Sequence, residues 1–198
     1  MTPSLPLILD DRSLPDAELR AAALDGDVRP LAAAYCSIDV HPSAQLRAEA
    51  LAPSIPRGLI AERMTAAWLH GASSRFPMPL QLCVRSTSRI HTPKCAERSV
   101  RQVVLADSEL ARAGPLGVTT FFRTAIDLLR WEPEFDEQLA LCIRTLLLAA
   151  GADGRECRAR LRAVPHLAHK QRALRRLDEL PGFGTQPALA GFARLNRR

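Results

Sequence analysis

Arg155, Arg158 and Arg162 recur at i, i+3 and i+7, and Arg172, Arg175 and Arg176 form a second row further on. A helix gathers the first three on one face. Guanidinium groups are permanently charged and planar, and they grip phosphate or carboxylate oxygens in pairs. Such a row therefore admits three readings. It is a groove for the phosphate backbone of duplex DNA, a surface for an acidic protein partner, or a solvated face. At the other end of the chain Arg20 and Arg29 are further candidates for DNA contact.

Two other stretches carry chemistry. Glu62 to Gly71 holds Thr65, Trp68, His70 and Gly71; Gly117 to Leu129 holds Thr119, Arg123, Thr124 and Asp127. In the first, Met64, Ala67 and Trp68 form an apolar helix face and Gly71 stands where the helix should stop. His70 is expected to hydrogen-bond a neighbouring loop from the helix end, beside a core tryptophan. A ligand or partner site at Trp68 and His70 is the other reading. In the second, Phe122, Ile126 and Leu129 share a face, and Arg123 can pair with Asp127 at i, i+4. Thr119 or Thr120 suits an N-cap better than a nucleophile.

Cys83, His91 and Cys95 are the best metal candidates, but their spacing is irregular and no fourth ligand is evident, so buried thiols are expected instead. His166 and His169 read as solvated. Serine, histidine and aspartate are not clustered, and there is no Gly-rich strand-to-helix turn and no acidic pair of metal type. The expectation is a protein without catalysis and without a cofactor.

The chain has 198 residues, 47% of them hydrophobic, enough for one large domain or a small one and a larger one. No apolar run nears the length that spans a bilayer, and the first residues lack a signal-peptide pattern, so a cytoplasmic location and no membrane partner are expected. Cys36, Cys83, Cys95, Cys142 and Cys157 are odd in number and scattered, which reads as reduced thiols. The formal net charge is +6. It is uneven: residues 1–30 hold six acids against three arginines, and residues 141–198 hold twelve bases against four acids. The positive field therefore lies at the C-terminal end, although a composition rich in Arg and Ala inflates it.

The positioning elements follow from periodicity and punctuation. A helix is expected over 15–24, stopped by Gly26, and a strand or wing over Val28–Ile38. An Ala-rich helix covers 44–52, with Pro53 beyond it. The first motif forms a helix over 61–70. Strands are expected at Leu80–Val84 and Val100–Leu105, with a polar connection between them. Asp107–Ala113 reads as a short turn or helix, and Gly114, Pro115 and Gly117 as a tight turn. Helices then follow at 135–150, from Asp153 to about Val164, and at 169–180, with a last short one at 188–195. The fold class is α/β (α+β): a shortened winged-helix-like N-terminal module, a small mixed sheet with helices, and a helical C-terminal third.

The two motifs resemble the Ser-Ala-Ala-Trp-Leu-His-Gly and Val-Thr-Ser-Pro-Arg-Thr-Ala-Asp-Leu signatures of the AbiEi-like antitoxin family, in its actinobacterial branch, over roughly residues 13–180. The resemblance implies a small winged helix before a mixed α/β domain. Here these would be residues 1–40 and 41–184, ahead of a basic tail at 185–198. It also implies a transcriptional autoregulator of a type IV toxin–antitoxin operon. Some relatives carry this region before a very-short-patch-repair-type endonuclease, and no nuclease fits in what remains here. Relatives have a basic reader helix and a Leu-Arg-Arg-Gly-Val-Tyr wing. This chain has Leu31-Ala32-Ala33-Ala34-Tyr35, keeping the tyrosine and losing the arginines. A protein-interaction module that no longer reads DNA, or the regulatory half of a truncated endonuclease relative, are accordingly the alternatives to a DNA-binding antitoxin.

Overall fold

The computed structural model describes residues 6–88 and 95–183. The helix expected at 188–195, the tail from 185 and His91 lie outside them. The chain packs as two compact units, Met1–Thr120 and Phe121–Arg198, dividing inside the second motif. Residues 1–40 thus share a unit with the sheet, and the span 41–184 is divided between the two. The class is mixed α+β.

In the first unit, helix α1 (Asp16–Asp25) ends on Gly26 and leads into a hairpin of β1 (Val28–Leu31) and β2 (Ala34–Ser37). Leu19, Val28 and Leu9 are buried together beneath α1. Hairpin residues Leu31, Ala34 and Cys36 belong instead to the main core, with α2 (Ala44–Leu51). The alternation of β-strand side chains lets one small hairpin serve both packings. Pro15 holds the N-cap position of α1 and offers no side-chain cap, and Ser13 bonds Asp10 locally.

The main sheet runs in the order β5-β4-β3-β7-β6. Its strands are β3 (Ile60–Ala61), β4 (Leu80–Arg85), β5 (Arg98–Val103), β6 (Leu110–Ala113) and β7 (Leu116–Thr119). β3 runs parallel to β7 and antiparallel to β4, and β4 runs parallel to β5. Helix α3 (Arg63–Leu69) springs directly from β3. Ala61, Leu82 and Val118 face the core with α2 and α3, whereas Ile60 and Cys83 cluster with Leu105 in a second one. Two elements differ from expectation. Residues 110–113 form β6, because pairing with β7 across the Gly114-Pro115 turn outweighs the helix propensity of Leu-Ala-Arg-Ala. Residue 61 is strand, and the helix starts at Arg63.

In the second unit α4 (Phe121–Trp131) packs against α5 (Glu137–Ala149) and α7 (Lys170–Glu179), and α6 (Gly154–Ala163) packs against α7. Leu128, Leu129, Ile143, Leu146, Leu147, Leu161 and Leu177 are all buried to 1% exposure or less. Each contributes about 1.5–3 kcal/mol of transfer free energy. Asp136 and Asp153 cap α5 and α6, their carboxylates accepting from the backbone N–H of Leu139 and Glu156 at 2.7 Å each. No helix among the described residues is long and apolar enough to cross a membrane.

Candidate functional site

The first motif is a hydrogen-bonded knot at the start of α3. Thr65 Oγ1 accepts from Gln81 N at 2.7 Å, and Gln81 Oε1 accepts from Met64 N at 2.7 Å. One glutamine of β4 thereby satisfies an orphan amide of the first helical turn and is itself held by that turn. At the other end Gly71 takes φ +76, and Gly71 N and Ala72 N bond Trp68 O and Ala67 O. That is the two-bond stop which a residue without a Cβ adopts most readily. Trp68 is 4% exposed. Phe76 meets it edge to face, with ring centroids 5.0 Å apart, and Arg47 stacks over it.

His70 Nε2 lies 2.8 Å from Thr119 O at the end of β7, so the two motifs meet through this bond inside the first unit. Burial holds the His70 pKa below its ordinary 6.5, and the bond to Thr119 opposes this in part. The folded state thus favours the neutral ring. Below about pH 6.5 the unfolded chain binds the proton more readily, so stability is full above that pH and falls as pH drops towards the folded-state value. We expect the unfolding midpoint to decline more steeply between pH 7 and 5 in the native chain than in His70→Gln, read by urea titration at each pH.

Sequence reading did not single out Glu62, although it lies in the motif. It is fully buried. Arg101 Nε and Nη2 reach its two carboxylate oxygens at 2.6 and 2.7 Å, and Arg63 Nε reaches Oε1 at 3.3 Å. Arg63 has φ +46, a strained conformation for a long side chain. A carboxylate opening a buried helix and an arginine on a strand nearly forty residues later was the signal available, and it is a weak one.

In the second unit Asp127 is almost fully buried between two arginines. Arg123 Nε bonds Oδ2 at 2.8 Å, as the spacing predicts, and Arg130 Nη1 bonds Oδ1 at 2.9 Å. Thr124 is buried on the same helix.

The arginine candidates for DNA contact separate into two groups, and several need correction. Arg158 does not share an exposed face with Arg155 and Arg162. It is buried, its guanidinium bonding Gly154 O at 2.7 Å, Phe183 O at 2.6 Å and Asp178. Gly154 permits this, since a Cβ there would run into the Phe183 carbonyl. Arg176 is also buried. Its Nη1 and Nη2 donate to the carbonyls of Leu129, Glu132 and Pro133, and Arg172 donates to Arg130 O at 3.4 Å. These carbonyls end α4, where no intrahelical donor remains and the dipole favours cations. Arg176 is thus a cap, and Arg172 half of one, in place of a phosphate contact. Arg20 is exposed but paired with Asp16 at 2.8 Å. Arg29 is half-buried and donates to Val40 O. Arg155, Arg162 and Arg175 remain exposed. Arg160, also exposed, pairs with Glu156 and lies over Phe122.

All five cysteines are free, and four are buried. Burial pushes the thiols of Cys142 and Cys157 up to about 12 and about 11, which leaves them protonated and unreactive at neutral pH. Among the described residues no group of three or more His, Cys, Asp or Glu side chains is placed to hold a metal.

No protein-family model matches this chain, and no curated protein matches it. Among solved structures it is similar to the RV2827C protein from Mycobacterium tuberculosis. The two are 16% identical, the match covers 92% of this chain and 74% of that one, and the TM-score is 0.47.

Proposed function

We propose that this chain is a non-catalytic, antitoxin-like regulator that binds duplex DNA through backbone contacts. The observation that supports the reading best is the set of arginines left over once structural ones are removed. Arg155 and Arg162 are exposed one heptad apart on α6, with Arg175 exposed on α7. None of the three has a carboxylate partner among the described residues. The motif resemblance supplies the antitoxin part of the reading. Three phosphate contacts give a slope of about −3 for log affinity against log salt.

The test is fluorescence anisotropy of the full chain with its own upstream DNA and a scrambled duplex, at low and near-physiological salt. Affinity that prefers the upstream duplex and survives physiological salt is the expected result. Equal affinity for both duplexes that vanishes with salt would reduce the claim to a sticky basic surface. Absence of binding at either salt would overturn it.

One observation favours a second reading, capture of a protein partner. The exposed surface of α1 is acidic, with Asp16, Glu18 and Asp25 around Leu24, and the hairpin turn Ala32-Ala33 carries no charge. The exposed face of α1 therefore repels phosphate. Co-purification of a basic partner with the native chain, together with no DNA affinity, would establish this reading.

A further inference from the structure

We propose that Arg29 and Arg47 form a binding site for a phosphate-type oxyanion, seated where β1 faces the start of α2. Both guanidinium groups hold the short loop before α2: Arg29 Nη2 donates to Val40 O, and Arg47 Nε donates to Pro42 O at 3.3 Å. Arg47 is planted from behind. Its Nη1 donates to Trp68 O at 2.9 Å, and its plane stacks over the Trp68 ring. The acceptors are neutral carbonyls throughout. Neither guanidinium pairs with a carboxylate among the described residues. Both side chains are half-buried and donate to carbonyls two residues apart, Val40 and Pro42, so two like charges hold one short loop, partly desolvated.

The repulsion registers in Arg47, whose pKa falls chiefly through burial and next through Arg29. Arg29 Nε is moreover buried with no hydrogen-bond partner among the described residues, an unfavourable state for a charged donor. A tetrahedral oxyanion would supply the missing negative charge, and an acceptor for that N–H once the guanidinium turns towards it. Two planar forks from different elements suit its geometry better than ammonium groups would. The N-terminal end of α2, capped by Ser43, adds a favourable dipole. This site shares no residue with α6 or α7, so it stands or falls apart from the regulator reading.

Trp68 beneath Arg47 provides the readout. In a Trp131→Phe background, titration with inorganic phosphate at constant ionic strength should give a saturable change in tryptophan fluorescence. Arg29→Gln should weaken the apparent affinity about tenfold or more, the scale of one charged hydrogen-bond pair. Should that variant fail to fold by circular dichroism, Arg29→Lys keeps the charge but loses the fork, and several-fold weakening is expected. A second arm separates two sources of phosphate. If a short duplex displaces phosphate and Arg29→Gln lowers the salt slope of DNA binding by about one, the ligand is the nucleic-acid backbone. If DNA leaves the signal unchanged, it is a free phosphate or a small phosphorylated molecule. An unsaturable signal in the native residues, or identical titrations in folded Arg29 variants, would overturn the proposal.

Discussion

Asp127→Ala is expected to destabilise the second unit by about 3–5 kcal/mol. The carboxylate is 1% exposed and sits between Arg123 and Arg130, whose side chains are 13% and 9% exposed. Removing it takes a buried carboxylate away from two poorly solvated guanidinium groups that it bonds. The bond from Arg130 Nε to Ala168 O satisfies a donor but does not cancel charge. Asp127→Asn keeps the shape and one acceptor and should cost less. Urea unfolding followed through Trp131 on α4 is the direct readout. A loss under about 1 kcal/mol for the alanine variant would mean that solvent, not Asp127, neutralises the pair.

Glu62→Ala should have an effect of similar size, about 3–5 kcal/mol, in the first unit. Here the geometry is bidentate, the strongest arrangement of a carboxylate with a guanidinium. Glu62 also links β3 to α3 as the N-cap of that helix, so its loss loosens the joint that presents Thr65, Trp68 and His70. Pairing it with Arg101→Ala in a double-mutant cycle isolates the coupling. The double variant is expected to be more stable than the sum of the two single losses, because the Glu62–Arg101 contact is then lost once and not counted twice. Additive losses would assign the cost to packing.

Legibility in the sequence followed the range of the interactions concerned. Local signals were reliable. The i, i+4, i+7 pattern of α4, the stops at Gly26 and Gly71, the cap at Asp153 and the Arg123–Asp127 pair each depend on residues within a turn or two of one another. β3 escaped detection because two residues cannot show alternation. β6 escaped because Leu-Ala-Arg-Ala is good helix sequence until β7 pairs with it. The arginines show the same limit at the level of the site. Spacing puts Arg158 on a face with Arg155 and Arg162, but a glycine at 154 lets Phe183 approach and draws Arg158 inward. Nothing near Arg176 reveals that the carbonyls of α4, more than forty residues earlier, will claim it. The Arg29–Arg47 pair likewise forms only because the hairpin folds back onto α2.

In the function we propose, the exposed arginines of α6 hold DNA phosphates while their buried neighbours hold the fold. The most direct test is the salt dependence of duplex affinity for the native chain and for Arg155→Ala/Arg162→Ala, measured by anisotropy. The double variant should keep its unfolding midpoint, bind every duplex more weakly by a similar factor, and show a slope of log affinity against log salt smaller in magnitude by about two. An unchanged slope with native affinity would contradict the account and place the DNA contact, or the function, elsewhere on the molecule.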